Sequence, residues 1–348
     1  MKSFSRIITL CFCAFSPLVG GKSRLEEKLG AVIQAPRFSA PPKTSLLKET
    51  IIAITTPILK NRIEELNYDR IFPVLQFLDH FEKTREEFHS ITPLEAFTSF
   101  QYDLSGKKNR GGACLALTMD LHRAILPLFQ PYITLATVPP KYQQFAFPYF
   151  VHSAVLIQYE NPTDAGFILF DPSFDIDIPI VLSKTGESVY FETKAKGTWR
   201  FYLENDHIIC DTTPGIPNNL IVYSTLQIEN PIESSGNPMI LADRKLALLS
   251  RAADGTHKAH LSLEFNKRCC NWTYYGERRP QIPFYQLLQK DLFPENFLRD
   301  LSFTEEELQA RFAKILEHEN TLNQLYSEYL NLLKQSEDDN LLKIIYAP

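Results

Sequence analysis

The residues best placed for chemistry are a cysteine, a histidine and an aspartate that follow one another through the middle of the chain. Cys114 comes directly after Arg110, Gly111, Gly112 and Ala113, and it opens a stretch with apolar side chains at 114, 117, 121, 125 and 128. That spacing predicts a helix over residues 114–129 with Cys114 at its N-terminus. A thiol there meets the positive end of the helix dipole and nearby backbone N–H groups, and both favour the thiolate, the attacking form. The glycines let backbone approach a bound molecule closely, and the N–H groups at the helix start could hold a developing oxyanion. The competing reading of one cysteine on an apolar stripe is a packing residue, so the thiol needs partners.

His152 supplies a base. It lies in residues 150–159, where His152, Ala154, Leu156 and Gln158 alternate with Val151, Val155, Ile157 and Tyr159. That period predicts a strand with both faces patterned, and an imidazole in it is either a satisfied core histidine or a working one. Residues 167–171 predict the next strand. A four-residue turn over residues 160–163 would pair Tyr159 with Asp164 and His152 with Asp171, placing their Cβ atoms roughly 4.5–5.5 Å apart. A slip of two would put Ser173 opposite His152, and Asp171-Pro172 also reads as plain strand punctuation. Taken together, Cys114, His152 and Asp171 have the order of a nucleophile, a general base and acid, and an orienting carboxylate.

The elements that must hold these residues point to an α+β protein. Helical spacing appears over residues 47–66, broken at Pro57, then over residues 73–88 and 93–100. Short strands separated by turn residues follow, at 133–138, 189–191, 199–203, 207–210, 220–227, 246–251, 257–265 and 272–275, which predicts a small antiparallel barrel or sandwich. Helices close the chain at 283–293 and 304–333, the second opened by a capping box from Thr304 to Glu307. The segments are then an N-terminal stretch over 1–21, an extension over 22–65, a helical region over 66–130 with Cys114, a β-rich region over 131–280 with His152 and Asp171, and C-terminal helices over 281–348.

On these residues the chain resembles the arylamine N-acetyltransferases, relatives of the transglutaminase-like and papain-like clan. Residues 110–114 are similar to that family's arginine-glycine-glycine-x-cysteine motif, and His152 and Asp171 match its histidine and aspartate in order and approximate spacing. Residues 66–100, with His89 and Pro93, are weakly similar to the helical region before the motif. Residues 246–263 and Gln286, Leu287 and Leu288 are similar in layout to the family's barrel and following helix. The resemblance implies a catalytic triad of Cys114, His152 and Asp171. It also implies ping-pong transfer of an acetyl group from acetyl-CoA, a substrate here, to a small-molecule amine. Two positions depart from the family: Ala116 stands where Glu or Gln is usual, and Asp171 is followed by Pro172, a pairing more typical of transglutaminase-like proteins. A cysteine amidase, protease or deamidase with the same triad and no CoA stays open, as does a non-catalytic binding protein.

Composition narrows the classes. A net charge of −5 gives no basic surface for nucleic acid. Residues 1–21 carry Lys2 and Arg6, an apolar run and small residues after it. They read as a secretory signal peptide or as a buried N-terminal strand, so the protein is secreted on the first reading and cytoplasmic if acetyl-CoA is its donor. No other stretch is long and apolar enough to predict a membrane span. Cys11, Cys13, Cys114, Cys210, Cys269 and Cys270 show no zinc-ligand spacing, which predicts no metal, and the pairing of the last three stays open. His257 and His260, three apart in a strand, should point to opposite faces. Asp175 and Asp177 read as a solvent-facing edge. The sequence assigns no residue to the donor and no oligomeric state.

Overall fold

The computed structural model describes residues 38–100, 114–137, 152–173, 176–193, 197–212, 220–229 and 245–338. The motif residues Arg110 to Ala113, the N-terminal 37 residues, the aromatic run at 142–149 and Asp175 lie outside that set. Among the described residues are seven α-helices and antiparallel sheets, an α+β fold.

Helix α1 (Lys48–Glu65) runs straight through Pro57, where a break was expected. The ring removes one helical N–H, but Pro57 and Ala53 are both on the exposed side. The freed carbonyl therefore faces water, while Ile51, Thr55, Leu59 and Ile63 form the buried stripe. Strand β3 (Tyr68–Asp69) leads into α2 (Ile71–Glu87), where the Asp69 carboxylate accepts from the N–H groups of Ile71 and Phe72. Helix α3 (Pro93–Ser99) starts with a capping box between Thr92 and Glu95. Helix α4 (Cys114–Ile125) ends earlier than the apolar spacing suggests. The chain turns after Ile125, and Leu128 is left 51% exposed while Phe129 takes the buried place.

The first large sheet runs β7 (Ile180–Ser183), β6 (Ala165–Phe170), β5 (His152–Glu160), β4 (Tyr132–Thr137), β11 (Leu220–Ser224), β10 (His207–Thr212), β9 (Gly197–Glu204) and β8 (Val189–Thr193). Its far end curls back so that β7 approaches β8 and β9, nearly closing a barrel. Strand β2 (Lys43–Thr44) adds in parallel to β5 at Gln158 and Tyr159, where the pairing with β4 has ended. A short pair of β1 (Phe38–Ser39) with β12 (Gln227–Ile228) stands beside it. Strand β5 is buried on both faces. Ala154 and Leu156 join the barrel interior with Tyr132, Leu169 and Tyr223, while Val155, Ile157 and Tyr159 pack outward with α1 and α4.

The second sheet contains β13 (Lys245–Arg251), β14 (His257–Glu264), β15 (Cys269–Tyr274), β16 (Glu277–Arg278) and β17 (Ile282–Pro283), with β3 added at the β13 edge. Its apolar face shares a core with α2, α3 and the C-terminal elements. The helix expected over 283–293 is instead one turn of 3-10 helix at Phe284–Gln286 followed by turns, and helix α5 (Glu295–Asp300) comes after it. Leu287 and Phe293 reach the core without a helix between them. The single long helix expected from 304 is two, α6 (Glu305–Glu317) and α7 (Glu319–Asp338), with the capping box of Thr304 and Glu307 in place. The break at His318, whose ring bonds Glu82 on α2, turns the chain so that α7 docks on α3. None of the described helices is long and apolar enough to cross a membrane.

Candidate functional site

Cys114 is the first residue of α4 and only 4% exposed. Leu115 beside it is fully buried, and Tyr68 and Met119 pack against the pair. The helix is fastened to β5 one turn on, where the Thr118 hydroxyl donates to the carbonyl of Ser153 at 2.9 Å and the Ser153 hydroxyl donates back to Thr118 at 3.3 Å. Ser153 is the neighbour of His152, so these two buried polar side chains set the thiol-bearing helix against the imidazole-bearing strand.

The β5–β6 hairpin has the slipped register, not the first-choice one. Glu160 pairs with Ala165, Tyr159 with Gly166 and Val155 with Phe170. The turn is residues 161–164, held by the Asn161 side chain, which accepts from the N–H groups of Thr163 and Asp164. In this register Asp171 is not directly opposite His152. It lies diagonally, just past the last paired residue of β6. Diagonal neighbours across a sheet remain within reach of a long side chain, and His152 Nε2–H donates to Asp171 Oδ2 at 2.6 Å. The Cys114 thiol is within hydrogen-bonding reach of the same imidazole. The structure therefore brings the three residues together by a route one register step away from the expected one.

Asp171 is fully buried and accepts three hydrogen bonds. Besides His152, the Tyr223 hydroxyl donates to Oδ2 at 2.8 Å and the Ser173 N–H donates to Oδ1 at 3.0 Å. Tyr223 also stands edge-on to the His152 ring. Burial works against the His152 imidazolium. The charge of Asp171, its hydrogen bond and the Cys114 sulfur outweigh that, and the ring holds its proton well above the usual histidine range. The Tyr223 hydroxyl is pushed well up, first by burial and then by the Asp171 charge. The arrangement is a buried proton path from a thiol at a helix start, through an imidazole, to an anion fixed by three donors. Such a path can activate a sulfur nucleophile and return a proton to a leaving group.

Sequence reasoning missed Thr118, Ser153 and Tyr223. Tyr223 shares a face with Ile221 in an apolar strand, and nothing in that pattern marks its hydroxyl as a partner of Asp171. His257 and His260 do not point to opposite faces as expected. The register shifts between Ser250 and Arg251, so Arg251 pairs with His257 while Leu249 pairs with His260. The extra residue in this bulge turns both imidazoles to one side, with ring centroids 6.4 Å apart. No group of three or more His, Cys, Asp or Glu side chains suited to a metal occurs among the described residues. Cys114, Cys210, Cys269 and Cys270 are all buried and none is in a disulfide. Asp177 is half-buried and paired with Lys60 at 3.5 Å, not at an open edge.

No protein-family model and no curated protein sequence matches the chain. Among solved structures, the fold is similar to arylamine N-acetyltransferases. One from Mycobacterium marinum, in complex with CoA, is 14% identical with a TM-score of 0.46, the match covering 76% of this chain and 93% of that one. One from M. tuberculosis is 13% identical with a TM-score of 0.46, covering 75% and 93%. One from Bacillus cereus, described as having a unique Cys-His-Glu catalytic triad, is 13% identical with a TM-score of 0.44, covering 81% and 98%. Values of this size carry no weight for the chemistry, which is read from the side chains themselves.

Proposed function

We propose that the protein is a thiol-dependent acyltransferase in which Cys114 takes an acetyl group from acetyl-CoA and passes it to an arylamine or related amine. The observation that supports this reading is the continuous hydrogen-bonded line from the Cys114 thiol through His152 to Asp171. The choice of donor follows the resemblance of residues 110–114 to the N-acetyltransferase motif. Both acetyl-CoA and the amine are substrates in this scheme, and no metal takes part.

His152 Nε2–H is committed to Asp171, which leaves Nδ1 to take the thiol proton. The resulting thiolate attacks the thioester carbonyl carbon. A C–S bond forms to Cys114, and the carbonyl oxygen becomes an oxyanion beside the N-terminal N–H groups of α4. The oxyanion collapses, the C–S bond to CoA breaks, and the imidazolium returns its proton to the departing CoA sulfur. In the second half the amine attacks the acetyl-cysteine and gives a proton to His152. The C–S bond to Cys114 then breaks, the amide leaves, and the thiol is restored. Asp171 stays ionised throughout, holding the ring orientation and stabilising the imidazolium.

The test is intact-mass spectrometry after incubation with acetyl-CoA. Wild type should gain one acetyl group, Cys114→Ala should gain none, and an arylamine should discharge the adduct. A protein that takes no acyl group from any thioester, yet has Cys114 rapidly alkylated by iodoacetamide at neutral pH, would instead be a cysteine amidase or deamidase. A Cys114 that reacts no faster than a free thiol would overturn both readings.

A further inference from the structure

The strand that carries Arg251 touches both ends of the Cys114–His152–Asp171 line. Arg251 ends β13, is 1% exposed, and donates through Nη1 to the carbonyl oxygen of Pro172. Two residues earlier, Leu249 pairs with Tyr68 of β3, and Tyr68 packs against Cys114 and Leu115. One edge of the second sheet therefore meets the thiol through Tyr68 and the carboxylate loop through Arg251.

We propose that Arg251 is a positioning residue for the Asp171 carboxylate, an inference that rests on the acyl-transfer reading above. The peptide it grips is the one that fixes the carboxylate. Asp171 Oδ1 accepts from the N–H of Ser173, so the side chain folds over Pro172. The Pro172 ring restricts its own backbone rotation. With the Pro172 carbonyl held by Arg251, the Asp171-Pro172-Ser173 turn has little freedom left, and Oδ2 stays aimed at His152 and Tyr223. Burying a guanidinium costs more than burying an apolar side chain of similar length. A charged residue at this depth is thus explained better by what it holds than by packing. Arg251 touches neither substrate nor sulfur in this scheme; it acts through Asp171.

The test is the pH–rate profile for iodoacetamide alkylation of Cys114 in the full-length protein, read by intact mass. Wild type, Arg251→Met, Arg251→Lys and Asp171→Asn are compared, with circular dichroism as the check on folding. A loosened carboxylate stabilises the imidazolium less, so the acid limb should move to higher pH in Arg251→Met. The expected shift is about half a pH unit, roughly threefold slower alkylation on that limb, in the direction of the larger Asp171→Asn shift. Arg251→Lys keeps a cationic donor and should restore much of the wild-type profile. Superposition of Arg251→Met on wild type while Asp171→Asn moves overturns the role of Arg251 and leaves the triad standing. If Asp171→Asn also superposes, the triad reading fails and this inference with it. Should Arg251→Met not fold, Arg251→Gln is measured in its place with the same two outcomes.

Discussion

Replacing Asp171 with asparagine removes a charge and also forces a choice among its three donors. His152 Nε2–H and the Tyr223 hydroxyl both point at Oδ2, and the Ser173 N–H points at Oδ1. An amide has one acceptor oxygen. If that oxygen takes the Oδ2 position, the amide nitrogen faces the Ser173 N–H and one buried donor is lost. If it takes the Oδ1 position, two are lost. The first arrangement is therefore preferred, and its orphaned N–H costs about 1–3 kcal/mol. Loss of the anion beside the imidazolium adds to this, up to the ~3–5 kcal/mol typical of breaking a buried pair. The ring limits the total by releasing its proton at neutral pH, so about 3 kcal/mol of stability should go. The kinetic effect should be larger than that loss suggests, because the ring can then no longer be held as a charged acid. Acetylation of Cys114 by acetyl-CoA should slow by roughly 10²–10⁴-fold, the usual worth of a positioned acid–base group. Single-turnover acetylation by rapid-quench mass spectrometry, with urea unfolding on the same sample, measures both. An Asp171→Asn protein that acetylates within a factor of about ten of wild type would refute the assigned role of the carboxylate.

Three further outcomes follow from the same geometry. Tyr223→Phe removes one of the three donors without opening a cavity. It should cost about 2 kcal/mol in urea unfolding and slow acetylation less than Asp171→Asn does; a larger kinetic loss would mean that Tyr223 does more than hold the carboxylate. The folded-state value of His152 is raised above its ordinary 6.5, so the folded protein binds the extra proton. The stability this contributes is present in full below 6.5 and is lost as pH rises through the raised value. Unfolding free energy measured between about pH 6 and about pH 9 should therefore fall on the alkaline side, and that part of the slope should vanish in Asp171→Asn. Gly166→Ala would place a Cβ 2.0 Å from the Leu182 carbonyl oxygen and 2.8 Å from the Tyr159 hydroxyl. Strand β7 would have to move away from β6, at a cost of about 3 kcal/mol, and an unchanged urea midpoint would show that the sheet yields more easily than its contacts indicate.

Local pattern accounts for much of what was legible in the sequence. The two-fold alternation in 150–159 gave β5, the capping box gave the start of α6, and the 3.6-residue spacing after Cys114 gave α4. The same signals failed where distant contacts decide the outcome. Pro57 breaks a helix in isolation, but here its free carbonyl partner faces water. His318 is as helical as its neighbours until Glu82 on α2 takes its ring. The turn at Asn161 and the hairpin register differ by two residues between equally plausible pairings, and a slip of two keeps every side chain on its face. Alternation could not choose between them. The candidate site was legible as residue types in order. Its support was not, because Thr118, Ser153 and Tyr223 look like ordinary members of apolar elements until the fold brings their hydroxyls to partners far along the chain.

Strand β5 is covered on both sides, by the barrel interior on one and by α1 and α4 on the other. Amides so enclosed exchange with solvent only when the whole structure opens, while edges and termini exchange through local fraying. His152 begins that strand, and Ser153 locks α4 to it. The Cys114–His152–Asp171 cluster is thus tied to the slowest-exchanging part of the molecule instead of a yielding margin. Mild heat or denaturant should fray the outer strands and C-terminal helices while the site stays assembled. Loss of Cys114 acetylation by acetyl-CoA should then share its denaturation midpoint with the most protected amides of β5, so that loss of the site and loss of the central sheet are a single event.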